Sequence, residues 1–266
     1  MSDQKYALIT GATSGIGYEL AKLFAKDQFN LIIVARDQGE LSRTADELTA
    51  EYNVTVLPIA KDLFNPESTL EIYNEVKSRG ITVNTLVNDA GQGEYGEFVD
   101  NDLERELAII QLNINSYVSL TKYFLRDMVD RNEGRILNVG SIAGEMPGPL
   151  QAVYHGTKAF VNSWSAAIRD ELKNTNISVT VLLPGATDTD FFNKADMTEA
   201  KIVQENQLGD ARTVAKDGYD ALLAGDGKII SGFKNKAQVT MSNLMPDSAV
   251  AANMHKQQAP ANDDNE

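Results

Sequence analysis

The chain contains no cysteine. Disulfides, a thiolate nucleophile and thiolate metal sites are therefore excluded. Histidine occurs only as His155 and His255, so no metal site is supported. No apolar run approaches the ~20 residues needed to cross a bilayer. The opening "MSDQKYALITGA" lacks the basic lead and the apolar length of a secretory signal. Positive charge is also scarce: 24 Lys and Arg face 38 Asp and Glu, a net charge of −14. Such a surface repels phosphate backbones and anionic membranes, which argues against nucleic acid and membrane as partners. These absences fit a cytoplasmic protein. Any anionic ligand must be held by local cations or backbone N–H groups, against the overall field.

What is present is a regular alternation. Short apolar runs at 6–10, 30–36, 54–60, 85–91, 134–144, 177–185 and 228–232 read as strands. Stretches with helical spacing lie between them, at 15–28, 39–52, 66–80, 103–131, 151–175 and 213–225. The run at 103–131 reads as one long helix or two joined ones. The strands are apolar on both faces, as in a parallel sheet covered by helices on both sides. The expected fold is α/β, a doubly wound sheet of about seven strands. At 266 residues, with no linker interrupting the alternation, residues 1–246 read as a single domain. Residues 186–209 are polar with scattered apolar positions and read as a substrate flap. The Ala/Asn/Gln/Asp-rich stretch 247–266 reads as a frayed tail.

After the first strand comes "TGATSGIG", which opens the first helix. Gly11, Gly15 and Gly17 permit a tight turn and close approach of a pyrophosphate. The N–H groups of Thr13, Ser14 and Ile16 sit within that cradle, at the positive end of a helix dipole. An ordinary glycine-rich strand-to-helix turn is the plainer alternative. The second strand ends "VARD". A nucleotide site often carries an acid here for the ribose 2′-OH; this chain has Ala35 and then Arg36, whose planar fork can grip a 2′-phosphate. NADP(H) is thus expected over NAD(H). Asp37, which follows, can cap the next helix.

"AVYHGTKAF" places Tyr154 and Lys158 four positions apart, one helical turn on the same face. Two amphipathic side chains sharing a helix edge is one reading. The other is chemical. A free tyrosine has a pKa near ~10, and a cation within about 4–6 Å lowers it, by roughly 1–3 units. A phenol so tuned passes a proton to or from a carbinol oxygen. His155 points away from the Lys158 face and reads as non-catalytic.

Together these residues resemble the short-chain dehydrogenase/reductase family in its compact single-domain form, with a Rossmann-type sheet. The pattern spans about residues 5–232. It comprises "TGATSGIG", Asp62 after the third strand, "NDAG" (88–91), Asn113 in the long helix, Ser141 in "GSIAG", "YHGTK" (154–158) and "PGATDT" (184–189). The resemblance implies that the glycine turn lines the cofactor. It implies that Asp62 bonds the adenine with Leu63 beside it, and that Asn88, Ala90 and Gly91 lie along the adenosine ribose. Thr187, after Pro184 and Gly185, would contact the nicotinamide carboxamide. Lys158 would also hold the nicotinamide ribose. Ser141 would polarise the substrate carbonyl, and Asn113 would hold a water relaying protons from Lys158. Two departures stand out. The family turn usually reads N-N-A-G, whereas position 89 here is Asp, a change expected to tune local hydrogen bonds. The residues between Tyr154 and Lys158 include His155, where small residues are commoner.

The Tyr-to-Lys spacing favours carbonyl/alcohol chemistry; related enoyl reductases usually widen it. The resulting expectation is an NADP(H)-dependent oxidoreductase acting on a small-molecule carbonyl or alcohol. A non-catalytic NADP(H)-binding regulator on the same fold is the alternative. The resemblance also implies a homo-dimer or homo-tetramer built on the helices at 103–131 and 151–175. Phe191, Phe192 and Met197 could wall an apolar pocket or pack the flap on the body.

Overall fold

The computed structural model describes residues 5–204 and 208–261. Seven parallel strands form one sheet: β1 (Tyr6–Thr10), β2 (Asn30–Ala35), β3 (Val56–Ala60), β4 (Val83–Asn88), β5 (Gly134–Val139), β6 (Ile177–Leu183) and β7 (Lys228–Ile230). Their order is β3-β2-β1-β4-β5-β6-β7. The helices are α1 (Gly15–Lys26), α2 (Gln38–Tyr52), α3 (Ser68–Ser78), α4 (Leu103–Ile110), α5 (Ser116–Arg131), α6 (Ala152–Glu171), α7 (Phe191–Lys194), α8 (Lys201–Gln204), α9 (Ala211–Ala224), α10 (Phe233–Ser242) and α11 (Asp247–Gln258). This is the doubly wound sheet that the alternation predicts.

The two-residue period of the strands sorts the core. Ala7, Ile9, Leu31 and Ile33 pack against Leu20 and Phe24 of α1, Leu41 of α2 and Leu222 of α9. Their neighbours Leu8, Ile32 and Val34 point the other way, against Ile72 of α3 and Leu120 and Phe124 of α5. Both faces are therefore buried, and each such Leu or Ile contributes about 1.5–3 kcal/mol. Strand order reverses between β1 and β4. At such a switch point the helices leave to opposite sides, and a crevice opens beyond the strand C-termini. The first turn, the β4 and β5 ends and the start of α6 converge there.

One alternative left open by the sequence reading is resolved, and two features depart from it. The segment 103–131 is two helices joined by a π-helical turn, Gln111–Asn115. Its hydrophobic spacing is continuous, so the extra residue per turn leaves no compositional trace. Residues 233–242 form α10, which no strand–helix alternation announced. The expected frayed tail is corrected for residues 247–258, which form α11. Pro246 precedes the helix, Asp247 lies in its first turn, and His255 and Lys256 lie in its last, all favourable to the helix dipole. Val250, Met254 and Gln258, spaced by four, form its buried face. Residues 262–266 of that tail lie outside the described residues, as do positions 205–207 of the expected flap. Among the described residues no helix is long and apolar enough to cross a membrane.

Candidate active site

A cleft of about 860 Å³ runs from the first glycine turn to α11. Gly11, Thr13, Ser14, Gly15 and Ile16 line one end. Gly11 and Gly15 adopt positive φ, 71° and 56°, which side-chain-bearing residues adopt only with strain. Ser14 is the N-cap of α1, yet its side chain makes no capping bond. The first N–H groups of α1 thus lack a side-chain cap beside the cleft, as an anion-binding helix end requires. Gly17 does not line the cleft. A Cβ there would lie 2.4 Å from the Gly11 carbonyl oxygen and 2.5 Å from the Asp89 carboxylate, so this glycine lets the turn fold onto Asp89. The flap covers the same turn: a Cβ on Gly15 would meet Thr189 at 2.8 Å.

Arg36 lines the cleft, its guanidinium 5.3 Å from the Phe64 ring centroid. Asp37 does cap α2, accepting from the Glu40 N–H at 2.7 Å, and this fixes where the strand-to-helix turn presents Arg36. Asp62 and Leu63 line the cleft too; the Asp62 side chain holds the Phe64 N–H at 3.1 Å. Ala90 and Gly91 lie along its floor, and Pro184, Gly185 and Thr187 along its wall. Thr10 Oγ1 accepts from the N–H groups of Asp89 and Ala90 and so ties the end of β4 to β1.

Asn88 is placed otherwise than expected. It is fully buried, and its amide donates to Thr121 Oγ1 at 3.0 Å and Asn138 Oδ1 at 2.9 Å. It clasps β4, β5 and α5 beneath the site and does not line the cleft. Asn113 is also away from the cleft wall. Its Nδ2 donates to the Gln92 carbonyl at 2.8 Å and to Thr157 Oγ1 at 3.0 Å, and its Oδ1 accepts from the Gln92 N–H at 3.1 Å. With both amide hydrogens committed, its side chain braces the Gly91–Gln92 turn against α6, and only one Oδ1 lone pair remains for water. The π turn supplies the fully buried position that this brace occupies.

At the centre are Ser141, Tyr154 and Lys158. Ser141 follows β5 and heads a 3₁₀ turn, its Oγ accepting from the Ala143 N–H at 3.0 Å. Its hydroxyl donates to the Pro184 carbonyl at 3.4 Å and lies beside the Tyr154 phenol. Lys158 is buried, its Nζ donating to the Val139 carbonyl at 2.9 Å and lying 5.9 Å from the Tyr154 ring centroid. The expected lowering of the phenol by Lys158 is not what this arrangement produces. Burial pushes Tyr154 up to about 12; the neighbouring Ser141 hydroxyl opposes that rise, and the nearby Asp89 charge adds to it. Burial likewise lowers Lys158 to about 8, against the pull of Asp89. The ammonium faces a backbone carbonyl and a carboxylate, so little of its field is left for the phenol. Tyr154 therefore holds its proton at neutral pH and is set to donate it.

Asp89 is the residue whose role the sequence left open. Burial raises its carboxyl to about 7, while Lys158 and the nearby Gly17 N–H work the other way. It lies between the glycine turn and Lys158. Beyond Tyr154 the cleft turns apolar. Phe191 packs 4.9 Å from the Tyr154 ring, while Phe192 and Met197 are buried in a small core of the flap. All three line the cleft, so wall and packing are the same residues. His155 is buried away from Lys158, its Nδ1 2.8 Å from the Met146 carbonyl. Gln151 and Gln258 line the cleft near it. Neither was legible in advance: Gln151 is an unremarkable polar residue before a helix, and Gln258 lies in the presumed tail.

The family model for short chain dehydrogenases matches residues 5–200. A very-long-chain 3-oxoacyl-CoA reductase of Laccaria bicolor is 36% identical over 178 residues, 65% of this chain and 52% of that protein. The chain thus spans about half the length of that curated relative. A short-chain dehydrogenase from Sphingobium yanoikuyae, solved in complex with NADPH, superposes with a TM-score of 0.81 at 26% identity, covering 92% of this chain and 97% of the other. A Burkholderia phymatum short-chain dehydrogenase/reductase, solved in complex with NAD, gives 0.81 at 24% identity over 91% and 94% of the two chains, a likeness of fold. The motifs quoted above all fall in the matched span, and the chain belongs to the short-chain dehydrogenase/reductase family of oxidoreductases.

Proposed function

We propose that this protein is an NADP(H)-dependent carbonyl reductase whose substrates include 3-oxoacyl thioesters. The observation that carries the reading is the convergence of Ser141, Tyr154 and Lys158 on one cleft continuous with the glycine cradle. The cradle fits a nicotinamide dinucleotide: Gly11 and Gly15 line the cleft at positive φ, and the uncapped start of α1 supplies donors for a pyrophosphate. Bound there, the cofactor supplies a hydride to the carbonyl carbon. Ser141 donates a hydrogen bond to the carbonyl oxygen. Tyr154 gives its phenolic proton to the same oxygen as negative charge develops, so C=O becomes CH–OH and a phenolate remains. Lys158, one turn along α6, is the cation nearest that phenolate and holds the cofactor ribose. A phenol held near 12 is a better donor than acceptor at neutral pH, which favours reduction.

Arg36, exposed at the adenosine end with no acid at position 35, supports NADP(H) over NAD(H), as does the NADPH complex of the Sphingobium yanoikuyae relative. The thioester substrate is supported by the Laccaria bicolor relative's name and by the apolar flap wall. A homo-oligomer built on α4 and α6 is supported by the exposed Leu103, Leu107 and Phe160; sedimentation measures it. The test of function is loss of nicotinamide absorbance with a graded panel of aldehydes, ketones and 3-oxoacyl thioesters. Turnover in the wild type that is lost in Tyr154→Phe, with NADPH still bound, is the expected result. NADPH binding with no turnover on any substrate would favour the non-catalytic regulator instead.

A further inference from the structure

The far end of the cleft is closed by the chain's C-terminal segment. The Lys201 N–H donates to the Ala259 carbonyl at 3.0 Å, and the Ala261 N–H to Glu199 at 2.9 Å, so the segment after α11 pairs with the flap. Tyr95 Oη donates to the Gln258 carbonyl at 2.7 Å and fixes the backbone there. The Gln258 side chain then meets His155, nitrogen to nitrogen, at 3.0 Å.

Chemistry decides which way that amide points. The Met146 carbonyl can only accept, so His155 Nδ1 carries the hydrogen. Burial pushes His155 below its usual value, so the ring is neutral and Nε2 offers a lone pair. Gln258 must therefore turn its NH₂ toward His155, which leaves Oε1 pointing elsewhere. That Oε1 is buried and without a hydrogen-bond partner. A second buried amide lies across the cleft. Gln151, three residues before Tyr154, has no partner for Nε2. It stands beside Tyr154 and Phe191 around Gly93: a Cβ at position 93 would lie 2.9 Å from Phe191, 3.2 Å from Gln151 Nε2 and 3.4 Å from the Tyr154 ring. Both glutamines are 4% exposed. Buried polar groups are nearly always bonded, so an unpaired acceptor and an unpaired donor on one cleft point to a ligand carrying their complements.

We propose that Gln258, held in orientation by His155, and Gln151 are specificity-determining residues for a substrate that bears a second carbonyl and an N–H group near the reacting ketone. This rests on the carbonyl-reductase reading above. A 3-oxoacyl thioester of coenzyme A has that chemistry: its thioester carbonyl accepts from Gln151 Nε2, and the amide N–H of its thiol arm donates to Gln258 Oε1. A plain ketone leaves both groups unpaired and is rejected by a site built to bond them. His155 is a positioning residue, acting only through Gln258.

The test compares 3-oxooctanoyl-CoA with 2-octanone under NADPH, in wild type, Gln258→Met, Gln151→Met and His155→Phe, each checked by thermal melting. Gln258→Met should raise KM for the thioester about 10-fold with kcat within about twofold, and leave KM for 2-octanone no higher than in the wild type, because one unpaired buried group is removed. Gln151→Met, beside Tyr154, should lower kcat for the thioester as well. His155→Phe should reproduce the KM change of Gln258→Met; if it does not fold, Gln258→Met decides alone. Equal effects on both substrates, or none on either, overturn the proposal while leaving the reductase standing. A wild type that turns over neither substrate removes the reductase reading and this one with it.

Discussion

Asp89→Asn isolates a buried charge at the junction of the glycine turn and Lys158. The native carboxyl is raised from its ordinary 3.8 to about 7, about three decades of proton affinity. At 1.36 kcal/mol per decade, this is roughly 4 kcal/mol. Between those two values the folded protein holds a proton that the unfolded chain has released. Stability from this group is therefore complete below about pH 4 and is lost as pH rises through 7. Asparagine keeps the shape yet binds no proton. Lys158 shifts the comparison the same way. Its value of about 8 is lowered from 10.5 against the pull of Asp89, so without that carboxylate it falls further and sheds its proton at a lower pH. The variant should thus gain on the wild type by roughly 2–3 kcal/mol between pH 5 and 7.5. Urea unfolding of the cofactor-free protein at several pH values measures the difference, in which all other shared carboxylates cancel. A difference flat to within about 0.5 kcal/mol over that window would refute the burial argument. In turnover, the variant's pH profile should move toward lower pH, because Asp89 raises both Tyr154 and Lys158.

Other expectations follow from the same geometry. Tyr154→Phe should keep NADPH affinity and lose about 10²-fold or more in kcat, the contribution of a positioned general acid; undiminished turnover removes the mechanism. Arg36→Asp should weaken NADPH binding by about 10-fold or more and abolish preference over NADH, read by fluorescence titration; an unchanged preference places the 2′-phosphate contact elsewhere. Gly17→Ala should weaken nucleotide binding and cost about 1–3 kcal/mol, because its Cβ meets the Gly11 carbonyl at 2.4 Å and backbone must move. Asn88→Ala should cost about 1–3 kcal/mol in urea melts, since Thr121 and Asn138 lose a buried partner, with NADPH affinity unchanged. Lost affinity at unchanged stability would return Asn88 to the cofactor wall.

The fold and most of the cofactor end were legible because local rules write them. Strands buried on both faces must be apolar throughout, and helices must show a 3.6-residue stripe, so the alternation announces a doubly wound sheet without any contact being known. Gly11 and Gly15 were identifiable because positive φ selects glycine in the sequence itself. Tyr154 and Lys158 were identifiable because one helical turn is a spacing. What sequence could not decide depends on groups far apart in the chain. Asn88 looked like a ribose contact but bonds across strands to Asn138, fifty positions away. The Tyr154 proton is governed by burial and by Asp89, neither of which is a spacing. The π turn that buries Asn113 carries no compositional mark. The tail read as frayed because its few apolar residues, Val250 and Met254, gain nothing until Val161 of α6, Met146 and Val239 of α10 stand opposite them. Sequence determined the sheet, the glycine turn and the placement of Tyr154 and Lys158 on one helix face through short-range geometry; only the tertiary structure decided the environment of their protons and the closing wall of the cleft, because burial and long-range pairing set both.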